Sequence, residues 1–199
     1  MTTIRHFDQP FDYVVAKNIN LTNLCKDLFL QCNNSQLDYG RMYVNGEEQH
    51  NDGVPNVTVS SELWSLLHGI IEEIRTKYFS TDMPEGKWSF NIAETNLSDT
   101  APSLDPHTDD PVQLYSEGAE YPGYLKFLVY IAKDMDYPDY GTKIYKQKRL
   151  GFKLHKEIPF KNGTLLVWRT GPNSWHGTDF CTTKEHRRFF ICGEYIKDE

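Results

Sequence analysis

The sequence predicts a mainly β (α+β) domain, a β-sandwich with N-terminal helices packed outside it. Two segments in the N-terminal part repeat apolar residues at helical spacing. After Asp82 the grammar changes to short β-branched and aromatic runs, about seven or eight of them, at the spacing of sandwich strands. The 199 residues suit a single domain, 1–199, with enough chain to bury a substantial core. No repeat, low-complexity tract or linker divides it.

The elements follow in order. "FDYVVAKN" (Phe11 to Asn18) is a β-branched and aromatic run that ends at Asn. "NLTNLCKDLFLQC" carries Leu21, Leu24, Leu28 and Phe29 at helical spacing, with Asn20 or Thr22 as cap. Residues 33–57 are polar, with Gly40, Gly46, Gly53 and Pro55, and read as a long loop with a small strand at "RMYV". "SSELWSLLHGIIEEIRTKYF" sets Leu63, Leu66, Leu67, Ile70, Ile71 and Ile74 in an apolar stripe behind a Ser60 or Ser61 cap. The strands expected beyond it are "KWSFNIAET", "YLKFLVYIA", "TKIYKQK", "NGTLLVW" after an Asn-Gly turn, and "HRRFFICGEYI". Shorter extended pieces are expected near His107, Phe152 and His176.

Hydrophobic residues make up 39% and charged residues 25%, with a net charge of -7 and a pI near 5.5. Such a chain is a poor bulk partner for nucleic acid or an anionic membrane face. No apolar run approaches a membrane span. Cys25, Cys32, Cys181 and Cys192 form no C-x-x-C pair, and the N-terminus lacks the charged and apolar regions of a signal peptide. Free thiols in a reducing cytoplasm are the expectation.

Of seven histidines, three open an H-x-D tripeptide, at His6, His50 and His107. Chance predicts roughly one half of an occurrence, so the tripeptide alone says little. Context separates the copies. His6 lies in the first few residues, where ordering is least assured. His50 sits in a glycine-rich charge run. His107 lies between two expected strands, and if 107–109 is extended, His107 and Asp109 share a face. A mononuclear iron site needs two imidazoles and a carboxylate on one face of the metal. Among the later histidines, His155 reads as an exposed edge residue and His186 lies beside two arginines. His176 follows a buried strand and is flanked by Trp175 and Gly177, which leaves room for a ligand; its bland alternative is a hydrogen-bonded histidine beside a tryptophan.

The last strand opens on Arg187 and Arg188, one of which faces inward. An inward guanidinium pairs either with a protein carboxylate, Glu185 or Glu194, or with the carboxylate of a bound small molecule.

His107-x-Asp109, then His176 sixty-nine residues on, then Arg188 twelve beyond that, resembles the Fe(II)- and 2-oxoglutarate-dependent dioxygenases, closest to their prolyl-hydroxylase-like branch. "PFDYVVAKNI", "LKFLVYIAKDMD" with the glycine-led "YGTKIY", and "NGTLLVW" followed by "WHG" extend the resemblance over most of the chain. It implies a double-stranded β-helix (jelly roll) core, with iron held by His107, Asp109 and His176. It implies 2-oxoglutarate bound through Arg188, with Arg187 as the alternative, and supported by Tyr130, which otherwise reads as a core tyrosine. It also implies O2 as oxidant, with release of succinate and CO2. The related halogenases lack a carboxylate at the Asp109 position, so hydroxylation or another oxidation is implied. The paired arginines are adjacent here, unlike the spaced pair of the nucleic-acid-demethylating branch.

The expected partner is a small-molecule or peptide substrate, with neither nucleic acid nor membrane; the oligomeric state is open. The pocket-shaping loops are expected at Gln36–Pro55 and Val112–Gly123, with Tyr39, Tyr43, Tyr115 and Tyr121, and their acidic residues lean slightly toward a basic substrate. Two alternatives stand beside the oxygenase: a jelly-roll binding or structural protein with an inactive metal site, and a cupin-type metal enzyme that does not use 2-oxoglutarate.

Overall fold

Strands buried on both faces read as unbroken apolar runs, and three such runs form the centre of this protein. The computed structural model describes residues 2–19, 21–33, 42–44, 47–49, 59–79, 83, 85–95, 103–109, 125–131, 137–179 and 188–197. Within them the strands are β1 (Thr3–Phe7), β2 (Tyr13–Lys17), β3 (Met42–Val44), β4 (Glu47–Gln49), β5 (Gly86–Thr95), β6 (Ser103–His107), β7 (Leu125–Ile131), β8 (Tyr137–Gln147), β9 (Phe152–Phe160), β10 (Leu165–Arg169), β11 (His176–Asp179) and β12 (Arg188–Lys197). The helices are α1 (Thr22–Asn33) and α2 (Ser61–Ile74), the latter running into a π-helical turn, Arg75–Phe79.

Beyond Asp82 the described strands number eight, β5 to β12, in line with the seven or eight expected there; β2 and β3 answer to "FDYVVAKN" and "RMYV", and β1 and β4 are additional. β1 carries Arg5 and His6 within five residues and shows no run that marks a strand; it forms because it pairs antiparallel with β2. His6 is therefore ordered, with its Nε2 3.6 Å from Asp12 Oδ1. β8 and β9 are also longer than their apolar segments.

The strands make an eight-stranded sheet, ordered β1-β2-β10-β7-β12-β5-β3-β4, and a four-stranded sheet, ordered β6-β11-β8-β9. All assigned pairings are antiparallel. One face of the large sheet packs with the helices: Phe127, Val129, Ile131, Phe189 and Ile191 join Leu28, Leu67 and Ile71 in one core. The other face contributes Tyr13, Val15, Tyr130, Leu166 and Trp168 to a second core with Ile144, Ile158 and Phe160 of the small sheet. This two-sided burial explains "YLKFLVYIA" and "NGTLLVW". The Asn-Gly turn does not close a hairpin. Gly163, at φ 69°, turns the chain from β9 in the small sheet to β10 in the large one.

The second helix follows its sequence signals. Ser60 is extended (φ -65°, ψ 146°) and its Oγ accepts from the Leu63 N–H at 3.1 Å; such a cap stabilises by about 1 kcal/mol. Leu63, Leu67, Ile71 and Ile74 are buried, each worth about 1.5–3 kcal/mol in transfer from water. Leu66 and Ile70 lie at the margin of the stripe, exposed and half-buried. The C-terminal end is clamped to the sheet. Glu72 accepts from Arg75 Nη2 at 2.9 Å and from the Trp88 indole N–H, while Arg75 lies over the Tyr195 ring at 4.9 Å. Burial pushes the Glu72 carboxyl up, but its bonds to Arg75 and Trp88 dominate and hold it below the usual carboxylate value.

Candidate metal centre

β11 lies between β6 and β8, and in its register His176 stands directly opposite His107. Directly opposed residues of an antiparallel pair hold their Cβ atoms about 5 Å apart. The two rings accordingly sit with centroids 4.4 Å apart. β6 ends at His107, and Asp109 follows two residues later on irregular chain, turned back toward the pair. Asp109 Oδ1 is 3.8 Å from His107 Nε2, and Oδ2 is 3.2 Å from His176 Nε2. One ligand atom from each of the three residues lies within 4.8 Å of the others, and among the described residues this is the one group of that kind.

The surroundings set which atoms would face a metal. His176 Nδ1 is 2.8 Å from the Ser174 carbonyl oxygen. A carbonyl only accepts, so Nδ1 carries the proton there and Nε2 is the nitrogen left for a metal. Ser174 is itself held, its Oγ accepting from the Gly171 N–H at 3.1 Å and donating to the Gly171 carbonyl at 2.8 Å. Trp168 meets the His176 ring edge-on at 5.2 Å. Burial pushes the Asp109 carboxyl up; the hydrogen bond and charge of His176 outweigh that, and with Lys126 and His107 they hold it well below the usual carboxylate range. Lys126 Nζ is 3.6 Å from Asp109 Oδ2. Cis ligands on a metal with bonds of about 2.1 Å are roughly 3 Å apart, so two imidazoles and one carboxylate at these spacings fit a divalent iron-type ion after small adjustments.

Asp109 and His176 line a cavity of about 350 Å³ between the sheets, floored by β5, β7 and β12. Cross-strand rows set its chemistry. Lys126, Glu194 and Ser89 form one row, and Leu128, Cys192 and Asn91 the next. Cys192 donates to Asn91 Oδ1 at 2.5 Å. Loss of solvent pushes its thiol up to about 12, so it stands in the wall as a neutral group. Gly177 lines the cavity beside His176, as expected.

Tyr130 is fully buried on the Lys126–Leu128 face of β7. Its hydroxyl donates to Thr142 Oγ1 at 2.5 Å and accepts from the Thr142 N–H at 3.0 Å, and Thr142 lines the cavity. Arg188 begins β12, its backbone paired with Thr95. Its side chain lies outside the described residues, as do Arg187, His186, His50, Cys181, the Val112–Gly123 loop and most of Gln36–Pro55, Tyr39 included; of Tyr43 only the backbone is described. His155 is exposed on β9, the edge strand of the small sheet. Neither Lys126 nor Ser174 is expected from the sequence to take part at a metal site. A lone lysine inside "YLKFLVYIA" was a usable signal for the first; the second acts through its backbone and leaves none.

No family model matches the chain, and no curated protein matches its sequence. Solved structures do match. A Pseudomonas putida prolyl-4-hydroxylase is similar with a TM-score of 0.52, at 10% identity over 94% of this chain and 93% of that one. AviO1 from Streptomyces viridochromogenes Tue57 has a TM-score of 0.51, at 10% identity over 93% of this chain and 89% of that one. The non-heme alpha ketoglutarate dependent epimerase SnoN from nogalamycin biosynthesis has a TM-score of 0.54, at 10% identity over 93% of this chain and 77% of that one. At this identity the likeness is one of fold.

Proposed function

We propose that this chain is an Fe(II)- and 2-oxoglutarate-dependent dioxygenase that oxidises, by hydroxylation, a small molecule or a peptidyl or amino-acid substrate. The observation that carries the reading is the convergence of His107, Asp109 and His176, two of which, Asp109 and His176, line an inter-sheet cavity. Strand order supports a jelly-roll core: β10-β7-β12-β5 in the large sheet faces β6-β11-β8-β9 in the small one, with successive strands from β5 to β12 alternating between the sheets apart from the β8–β9 pair. The fold shared with a prolyl-4-hydroxylase and an alpha ketoglutarate dependent epimerase supports it further. All of 1–199 would then be one catalytic domain.

In this reading Nε2 of both histidines and one Asp109 oxygen hold the iron, which when bound supplies the site for 2-oxoglutarate and O2. The residues of the chain do the rest. Ser174 keeps the His176 ring in one tautomer and one orientation. Thr142, backed by Tyr130, offers a polar wall inside the cavity. Arg188 occupies β12 two and four residues before Phe190 and Cys192, which line the cavity from that strand together with Gly193 and Glu194, and would grip the far carboxylate of the cosubstrate. Among the described residues no disulfide joins Cys25, Cys32 or Cys192, in keeping with a cytoplasmic setting. Among the described residues no helix is long and apolar enough to cross a membrane.

The test is anaerobic titration with Fe(II) and then 2-oxoglutarate, followed through the visible charge-transfer band of the chelate. A band, followed by succinate release with a panel of amino acids and peptides, supports the reading. Folded protein that binds iron without the band points to the cupin-type enzyme. Folded protein that binds no iron points to a binding or structural protein.

A further inference from the structure

The inner face of the first hairpin ends in charge rather than in core. On β1, Thr3, Arg5 and Phe7 alternate with Ile4 and His6. On β2, Val15 and Lys17 lie on the same side, with Lys17 opposite Thr3 and Val15 opposite Arg5. Across the gap, β9 presents Lys156 beside Ile158. These residues line a cavity of about 240 Å³ at the sandwich edge, formed by the outer strands of the two sheets. It lies on the β9 side of the small sheet, whereas His107 lies on β6 at its other edge.

The chain is acidic overall, net -7, yet three cations converge here. Among the described residues no carboxylate lies within ion-pair distance of Arg5, Lys17 or Lys156. Glu157 reaches the rim and pairs with none of them. Lys156 lies over the Phe7 ring at 3.5 Å, which fixes its ammonium in the gap. Burial, then the charges of Lys17 and Arg5, push the Lys156 pKa down, as expected where like charges crowd. The hydroxyl of Thr3 and the amide of Asn18 add neutral donors. Asn18 sits at φ 54°, with its carbonyl held by the Thr2 hydroxyl at 3.4 Å. Like charges brought together without a counter-charge cost free energy that an anion recovers.

We infer that this groove is a binding site for a small phosphate-class oxyanion, held by Arg5, Lys17 and Lys156 with Thr3 and Asn18 as neutral donors. The site is separate from the metal cavity and does not depend on its chemistry. A free phosphate, a phosphate monoester and a lipid headgroup share the recognised group. The cavity size and the mixed neutral donors favour a small soluble ligand.

Isothermal titration calorimetry in a non-phosphate buffer at low salt tests it, with inorganic phosphate, phenyl phosphate and phosphatidic-acid vesicles as separate probes. Saturable one-to-one binding of inorganic phosphate or phenyl phosphate is expected, weakening as salt is added. Arg5→Gln, Lys17→Gln and Lys156→Gln should each weaken it about tenfold. Lys146→Gln, an exposed cation on β8, should leave it unchanged, as should His107→Ala at the other cavity. Thermal melts without ligand identify any variant that fails to fold; Arg5→Gln removes an exposed side chain and serves if Lys156→Gln does not fold. Absence of saturable binding by both soluble probes overturns the inference. So does equal loss in Lys146→Gln, loss in His107→Ala, or binding to vesicles alone.

Discussion

His176 donates from Nδ1 to the Ser174 carbonyl oxygen at 2.8 Å, and that bond aims Nε2 at Asp109. Ser174 Oγ in turn clasps both the N–H and the carbonyl of Gly171, so the side chain holds the turn that positions the carbonyl. Ser174→Ala should leave the fold intact and weaken Fe(II) or Co(II) binding by about tenfold or more, the usual effect of losing support behind a metal-bound imidazole. Anaerobic metal titration measures it. Unchanged affinity would show that the strand alone orients the ring.

Arg187 and Arg188 make opposite predictions. Arg188→Ala should raise the KM for 2-oxoglutarate about tenfold or more, since a charge-assisted bond contributes about 1.5–3 kcal/mol, with iron binding retained. Arg187→Ala should change it little. Tyr130→Phe should raise the same KM less, because its hydroxyl reaches the cavity through Thr142. Steady-state succinate formation separates the three, and reversed effects for the two arginines would exchange their roles.

The Glu72–Arg75–Trp88 clamp predicts an acid dependence of stability. The Glu72 carboxyl is held below its unfolded value of 4.5, so its contribution is complete above that value and is lost as pH falls through the lower folded value. Glu72→Gln should cost about 1–2 kcal/mol at neutral pH. The gap between parent and variant should narrow below about pH 4.5. Urea unfolding across the pH range measures it; a gap that stays constant would mean that the clamp is packing rather than charge.

Gly141 stands where β8 passes β9. A Cβ there would lie 1.9 Å from the Ile158 carbonyl oxygen, a backbone atom that cannot swing away. Its own carbonyl accepts from Thr178 Oγ1 at 2.9 Å on β11, the strand that carries His176. Gly141→Ala should therefore destabilise by about 1–3 kcal/mol and weaken metal binding as well. Thermal melts of apo and Fe(II)-loaded protein read both effects.

How legible the protein was depended on how local each cause is. "SSELWSLLHGIIEEI" announced α2 because cap and stripe lie within one helix, and Ser60 is the observed cap. "YLKFLVYIA" announced a buried strand because apolar side chains on both faces leave no polar alternation to read. β1 was not legible: Arg5 and His6 interrupt it, and its partner on β2 supplies the hydrogen bonds. The Asn-Gly turn was legible as a turn but not as a crossover, since the same φ at Gly163 serves either connection.

The same division runs through the site. What the sequence by itself offers is a candidate donor set, His107, Asp109 and His176, through the spacing of one H-x-D, a later histidine and an arginine beyond it. Their convergence was decided by tertiary structure. Sixty-nine residues separate the histidines, and only the insertion of β11 between β6 and β8 sets His176 opposite His107. The Lys126–Asp109 pair, and the gathering of Arg5, Lys17 and Lys156 with no carboxylate partner among the described residues, were likewise decided by the fold. Electrostatic energy depends on distance through space, and sheet pairing sets that distance independently of separation along the chain.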